Sequence, residues 1–214
     1  MQASLPRPQG LLLDAMGTLI HLRDSVGVTY AQLAHNHGMA VEPDRIDRAF
    51  GQAYRSAPPL AFPGLAGDAL RQAEIAWWGE RIRSSLLAAG GSDPPAALIQ
   101  DLFNHYAEPA AWRVYPDVAA QLERWSQRGL ALAVVSNFDT RLPGLLEGLG
   151  LARWLQAIVV SSNAGAAKPD PAPFQLALDQ LGLAAHQAWH VGDSPEDTAG
   201  AAAAGLVCIQ VQRP

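Results

Sequence analysis

A chain of 214 residues with 49% hydrophobic and 16% charged side chains has the apolar content to bury a core and form one or two globular domains. Its formal charge of -5 supplies no overall attraction to nucleic acid or to an anionic membrane, so any phosphate-binding centre must be local. The single cysteine, Cys208, excludes an internal disulfide, and with Val207 and Ile209 beside it a core strand is expected there.

From the N-terminus, Met1–Pro8 has no long apolar region of the secretory kind, and no later run is long enough to span a bilayer; a soluble cytoplasmic protein is the expectation. Leu11–Leu13 is the first short apolar run, closed by Asp14 and followed by the tight segment Ala15-Met16-Gly17-Thr18-Leu19. From about Asp24 to Ala107 no strand pattern occurs. Amphipathic stretches at 26–37, 43–54, 68–87 and 94–106 predict helices instead, an insertion over 22–107 between core segments 1–21 and 108–214. Within it, Ser56–Gly64 is too rich in proline for a helix and should be an ordered loop.

Beyond the insertion, apolar runs at 131–135, 157–160, 188–191 and 207–211 read as buried strands. Segments of helical spacing separate them, such as Val118-Ala119-Leu122-Trp125 before Gly129 and Phe174-Leu176-Leu178-Leu181 before Gly182. Strand and helix in alternation predict a doubly wound, Rossmann-like α/β core with a parallel sheet, and the insertion adds a helical bundle.

Polar groups follow these strands: Asp14, Ser136-Asn137, Lys168-Pro169, and Gly192-Asp193-Ser194-Pro195-Glu196-Asp197. Carboxyl-terminal strand ends are where open α/β sheets bind ligands. A carboxylate there can attack phosphorus or carbon and divide one hard displacement into two, which suits Asp14. Lys168 offers the compact positive charge that lets an anionic nucleophile meet an anionic substrate. Thr18, Ser136 and Asn137 are candidates to bind the transferred group, and Asp193 with Asp197 offers the hard oxygen ligands that Mg2+ prefers.

In order and placement these four elements resemble the motifs of the haloacid dehalogenase superfamily, over Gly10 to Val211. The resemblance implies that Asp14 is the nucleophile and that the residue two positions on gives its backbone carbonyl to the metal. In phosphatase members that residue's side chain is also the general acid. Here it is Met16, so the carbonyl survives and the proton donor does not. Stretches such as Val26-Gly27-Val28-Thr29-Tyr30, Gln52-Ala53-Tyr54-Arg55 and Ser136-Asn137-Phe138-Asp139 are similar to the haloacid dehalogenase-like hydrolase domain-containing protein 3 group, which also lacks the second aspartate.

The resemblance implies a helical cap over the site, Mg2+ as cofactor, and a small phosphorylated metabolite as substrate for a monomer or weak homodimer. Asp14-Ala15-Met16-Gly17-Thr18-Leu19 also resembles the first motif of metal-free dehalogenases, but those replace the Asp193 position and bind halide through a cap arginine; Arg48 and Arg55 lie on a candidate helix. A third reading is a non-catalytic binding protein. His21 either donates a proton or binds substrate, or is a partly exposed turn histidine, and Asp139 either faces substrate or caps a helix. Trp77-Trp78 should place one ring in the core and leave the other partly exposed, and the Pro58–Gly64 loop is the candidate for substrate selection.

Overall fold

Gly10–Leu13 is buried at every position, because this strand is paired on both sides and covered on both faces. In chain order the elements of the computed structural model are β1 (Gly10–Leu13), β2 (Ile20–Leu22), α1 (Val26–Asn36), α2 (Pro43–Arg55), α3 (Gly67–Ala88), α4 (Ala96–His105), β3 (Trp112–Val114) and α5 (Val118–Gln127). There follow β4 (Ala131–Ser136), α6 (Leu142–Gly148), β5 (Ala157–Val160), α7 (Ser161–Ala164), α8 (Ala172–Leu181), β6 (Ala188–Gly192), α9 (Pro195–Ala203) and β7 (Val207–Gln210). The structure describes residues 7–213, so the expectation for Met1–Pro6 lies outside it.

The five-stranded sheet runs β5-β4-β1-β6-β7, all neighbours parallel. This is the expected doubly wound, Rossmann-like α/β sheet. Strand order reverses direction at β1, and the register sets Leu13 beside both Val134 and Val191, so β1, β4 and β6 end nearly level. Asp14, Ser136 and the turn after Gly192 therefore emerge around the crevice that such a reversal opens.

One sheet face sends Leu12, Ala133, Val135, Ala157, Val159 and Ala188 into a core completed by Phe174, Ala177 and Leu178 of α8 and Ala201 of α9. The expected core strand at 207–211 is instead the sheet's edge, with Cys208 half-buried and Ile209 exposed. An edge strand has only one neighbour to cover it. The three-residue strands β2 and β3, which no pattern announced, pair in a separate ladder.

Residues cluster into two compact units. Among the described residues the sheet unit takes the chain up to His21, Leu60–Leu65, and the stretch from Val114 to Arg213; the helical unit takes Leu22–Pro59 and Ala66–Arg113. The division thus falls at Val114 where the sequence suggested 108. It also returns Leu60–Leu65, part of the proline-rich loop, to the sheet unit. There the Ser161 hydroxyl donates to the Leu60 carbonyl at 2.6 Å and Phe62 N–H to the Ser162 carbonyl at 3.2 Å.

The helical unit packs α1 to α4 around Tyr30, Ala34, Ile46, Ile82, Leu86, Leu98 and Leu102. Asp47 of α2 reaches the start of α1, accepting from the Ser25 hydroxyl at 2.7 Å and Gly27 N–H at 2.6 Å. Trp77 is buried, its indole N–H donating to the Pro58 carbonyl at 3.0 Å, while Trp78 is partly exposed, as adjacent rings on a helix require.

Candidate active site

Asp14 leaves β1 with its N–H donating to the Val191 carbonyl at 2.9 Å, which fixes the carboxylate at the strand end. Lys168 comes from the segment after β5 and is only 5% exposed. Its Nζ lies 2.6 Å from Asp14 Oδ1 and 2.6 Å from Asp197 Oδ1, one ammonium shared by two carboxylates. Ser136 Oγ stands 3.4 Å from Asp14 Oδ1, and Thr18 Oγ1 donates to Asp193 Oδ1 at 3.3 Å. The Asn137 amide, expected to face substrate, is spent on the main chain of Lys168, which makes it a positioning group in this structure.

Two glycines make the arrangement possible. Gly17 has φ +84, a left-handed conformation, and a Cβ there would overlap the Asp193 carboxylate. At Gly192 a Cβ would overlap the Asp197 side chain, so only glycine lets that carboxylate fold back beneath β6.

Asp197 sits at N3 of α9 and completes a capping box with Ser194. Its Oδ2 accepts from Ser194 N–H at 3.1 Å and Ser194 Oγ at 2.7 Å; its Oδ1 takes Lys168 and His190. Four donors fill the lone pairs a carboxylate has to offer. Asp197 was expected as a metal ligand; it lies in the acidic cluster, but this geometry uses it first to hold Lys168.

One ligand atom each of Asp14, Asp193 and Asp197 fall within 4.8 Å of one another. Burial pushes the Asp14 carboxyl above its ordinary range; Lys168 pulls it back, and the charges of Asp197 and Asp193 raise it again. Burial also opposes ionisation of Asp197, yet the His190 and Lys168 contacts prevail and hold it well below the carboxylate range. Asp14 and Asp197 outweigh burial at Lys168 and keep its ammonium protonated beyond the usual lysine value. Three carboxylates thus face one ammonium, an imbalance that a divalent cation with oxygen ligands fits.

Met16 is 48% exposed, a thioether with no proton to give, two positions after Asp14. His21 packs on Tyr115 with ring centroids 4.6 Å apart. Asp139 is fully buried and accepts from Arg141 N–H at 3.0 Å, Nε at 2.8 Å and Nη2 at 2.6 Å, so it closes its own loop. Arg48 and Arg55 lie exposed on α2.

Two contributors escaped sequence reading. Arg213 donates to the Thr18 carbonyl through Nε at 3.1 Å and Nη2 at 2.6 Å while pairing with Asp117 at 2.7 Å, which braces the loop after Asp14. His190 reaches Asp197 from inside β6. Its only sequence signal was one polar residue inside an apolar run.

A parallel α/β sheet presenting a lysine-bridged aspartate pair at its switch point defines a hydrolase of one particular kind. Residues 8–205 match the haloacid dehalogenase-like hydrolase family, and the chain belongs to it. It is 37% identical over 208 residues to haloacid dehalogenase-like hydrolase domain-containing protein 3 of Bos taurus, covering 95% of this chain and 82% of the relative. Similarity to phosphoglycolate phosphatase of Rhodospirillum rubrum is 34% over 208 residues, 94% of this chain and 78% of that one. Among solved structures, L-2-haloacid dehalogenase of Xanthobacter autotrophicus shares the fold, with a TM-score of 0.72 at 21% identity over 95% of this chain and 77% of the other. No helix among the described residues is long and apolar enough to cross a membrane.

Proposed function

We propose that the chain is a Mg2+-dependent phosphatase of small phosphorylated metabolites in the cytoplasm, acting through Asp14, with the helical unit as its cap and a monomer or weak homodimer as its working form. The observation that carries the reading is the Lys168 ammonium at 2.6 Å from both Asp14 and Asp197, with Asp193 in the same cluster. Such a site is built to bring an anionic nucleophile to an anionic group.

An Asp14 carboxylate oxygen attacks phosphorus, the bond to the leaving group breaks, and the leaving oxygen departs with its electron pair. Water then attacks the aspartyl phosphate, releases phosphate and restores the carboxylate. Lys168 offsets the charge of nucleophile and phosphoryl oxygens, and Ser136 and Thr18 provide hydroxyls to orient them. Asp14, the Met16 carbonyl and Asp193 would hold Mg2+, with Asp197 adding charge beside it. When bound, the ion supplies charge neutralisation to the phosphoryl group.

Met16 bears on the substrate. A general acid is typically worth ~10²–10⁴ in rate, and that contribution matters most where the leaving group is a poor one such as an alkoxide. Aryl and acyl phosphates leave as stable anions and need little help. The test is turnover on a panel of aryl, acyl and alkyl phosphates with and without Mg2+, together with chloride release from a 2-halo acid in chelator. Mg2+-dependent turnover that favours aryl and acyl substrates supports the reading. Halide release without metal would replace it with a dehalogenase, which the cluster of three carboxylates disfavours by repelling an acid substrate. Silence on every substrate would favour a binding protein.

A further inference from the structure

His190 is fully buried in β6, a strand otherwise made of apolar residues and glycine, and the proposed chemistry does not touch it. Its Nε2 lies 2.8 Å from Asp197 Oδ1, and its Nδ1 is buried with no hydrogen-bond partner among the described residues. An ionised carboxylate only accepts, so Nε2 carries the proton. The imidazole and the Phe174 ring meet edge to face, centroids 4.9 Å apart at 87°, which restrains the ring plane.

We propose that His190 is a positioning residue for Lys168: an Nε2–H donor that orients Asp197 so that Oδ1 directs the lysine ammonium onto Asp14. Oδ1 of Asp197 sits between Nε2 at 2.8 Å and Nζ at 2.6 Å, and Ser194 fixes the other oxygen. With every donor in place the carboxylate has one orientation. The inference rests on the phosphatase reading for its kinetic consequence, but its geometry is independent of it.

The test compares His190→Gln, His190→Asn and His190→Phe in the full chain, using p-nitrophenyl phosphate with Mg2+, thermal melting, and side-chain 15N–1H spectra at neutral pH. The glutamine amide reaches the place of Nε2; the asparagine amide falls near Nδ1. A misplacement of about 1 Å at a reacting centre is worth ~10² in rate, so the Asn and Phe variants should lose roughly tenfold to a hundredfold in kcat while the Gln variant recovers most of it. KM should move much less than kcat. A folded His190→Phe with wild-type kcat overturns the proposal, and so does an equal loss in all three variants. In the wild type, an Nε2–H resonance that shifts in Asp197→Asn supports it; an Nε2 without a proton, or no response to that substitution, overturns it. Should the wild type hydrolyse no phosphate ester, the phosphatase reading falls and the spectra alone decide the role of His190.

Discussion

The side-chain amide of Asn137 and the main chain of Lys168 form a closed pair: Nδ2 donates to the Lys168 carbonyl at 2.9 Å, and Lys168 N–H donates to Oδ1 at 2.7 Å. The end of β4 thereby sets the backbone from which the Lys168 ammonium is launched. Asn137→Asp turns the donor into a second acceptor against a carbonyl. It should cost about 1–3 kcal/mol and lower p-nitrophenyl phosphate turnover at least tenfold. Unchanged melting and turnover would show that the pair holds nothing.

Asp14→Asn should abolish turnover and raise stability. The sign follows from the raised Asp14 carboxyl: when ionised at neutral pH it is less favourable folded than unfolded, so removing the charge relieves the fold. In chelator at pH 7 we expect a melting temperature higher by about 2–4 °C, the response to roughly 1 kcal/mol in a chain of this size. Mg2+ should narrow the gap by stabilising the wild type preferentially. A variant that melts lower than wild type in chelator would contradict the reading of the site's charge.

Lys168→Met leaves Asp14 and Asp197 buried without their shared cation, a loss of about 3–5 kcal/mol for a broken buried pair. The Asp197 carboxyl is depressed, so its share of stability is present above the ordinary carboxylate value near 4 and lost as pH falls below it. The Lys168 ammonium is raised, so its share is present below the ordinary lysine value near 10.4 and lost as pH climbs past it. Urea unfolding should therefore show a gap between wild type and Lys168→Met that narrows as pH falls, through protonation of Asp14 and then of Asp197, and closes below about 4. A gap that widens in acid would remove Asp197 from the account.

Met16→Asp restores a carboxyl where the thioether stands half-exposed. Alkyl phosphate turnover should rise by up to ~10², with aryl turnover changing much less. Equal gains on both substrate classes would rule out leaving-group protonation as the missing step.

The sheet was legible because parallel strands buried on both faces leave continuous apolar runs: 157–160 matches β5 residue for residue, and β1, β4 and β6 extend their runs by one residue at one end. Three-residue strands such as Ile20–Leu22 and Trp112–Val114 are too short for any alternation to register. Asp14 and Asp193 could be picked out because charge at the end of an apolar strand is conspicuous; Lys168 and Asp197, farther from a strand end, stood out through their resemblance to the family's motifs. Their division of labour could not. That Asn137 grips a main chain 31 residues away, or that Asp197 is filled by four donors, depends on partners that leave no mark in local spacing. The proline-rich loop was correctly read as irregular, but nothing in its composition said which unit it would join.

That last feature bears on how this architecture can be recombined. Because Leu60–Leu65 belongs with the sheet and accepts the Ser161 hydroxyl bond, the stretch 22–113 is no self-contained cassette. Exchanging it wholesale for the equivalent stretch of a relative would replace a piece of the host's own sheet unit, and a chimera that keeps residues 60–65 from the host should be the sounder one.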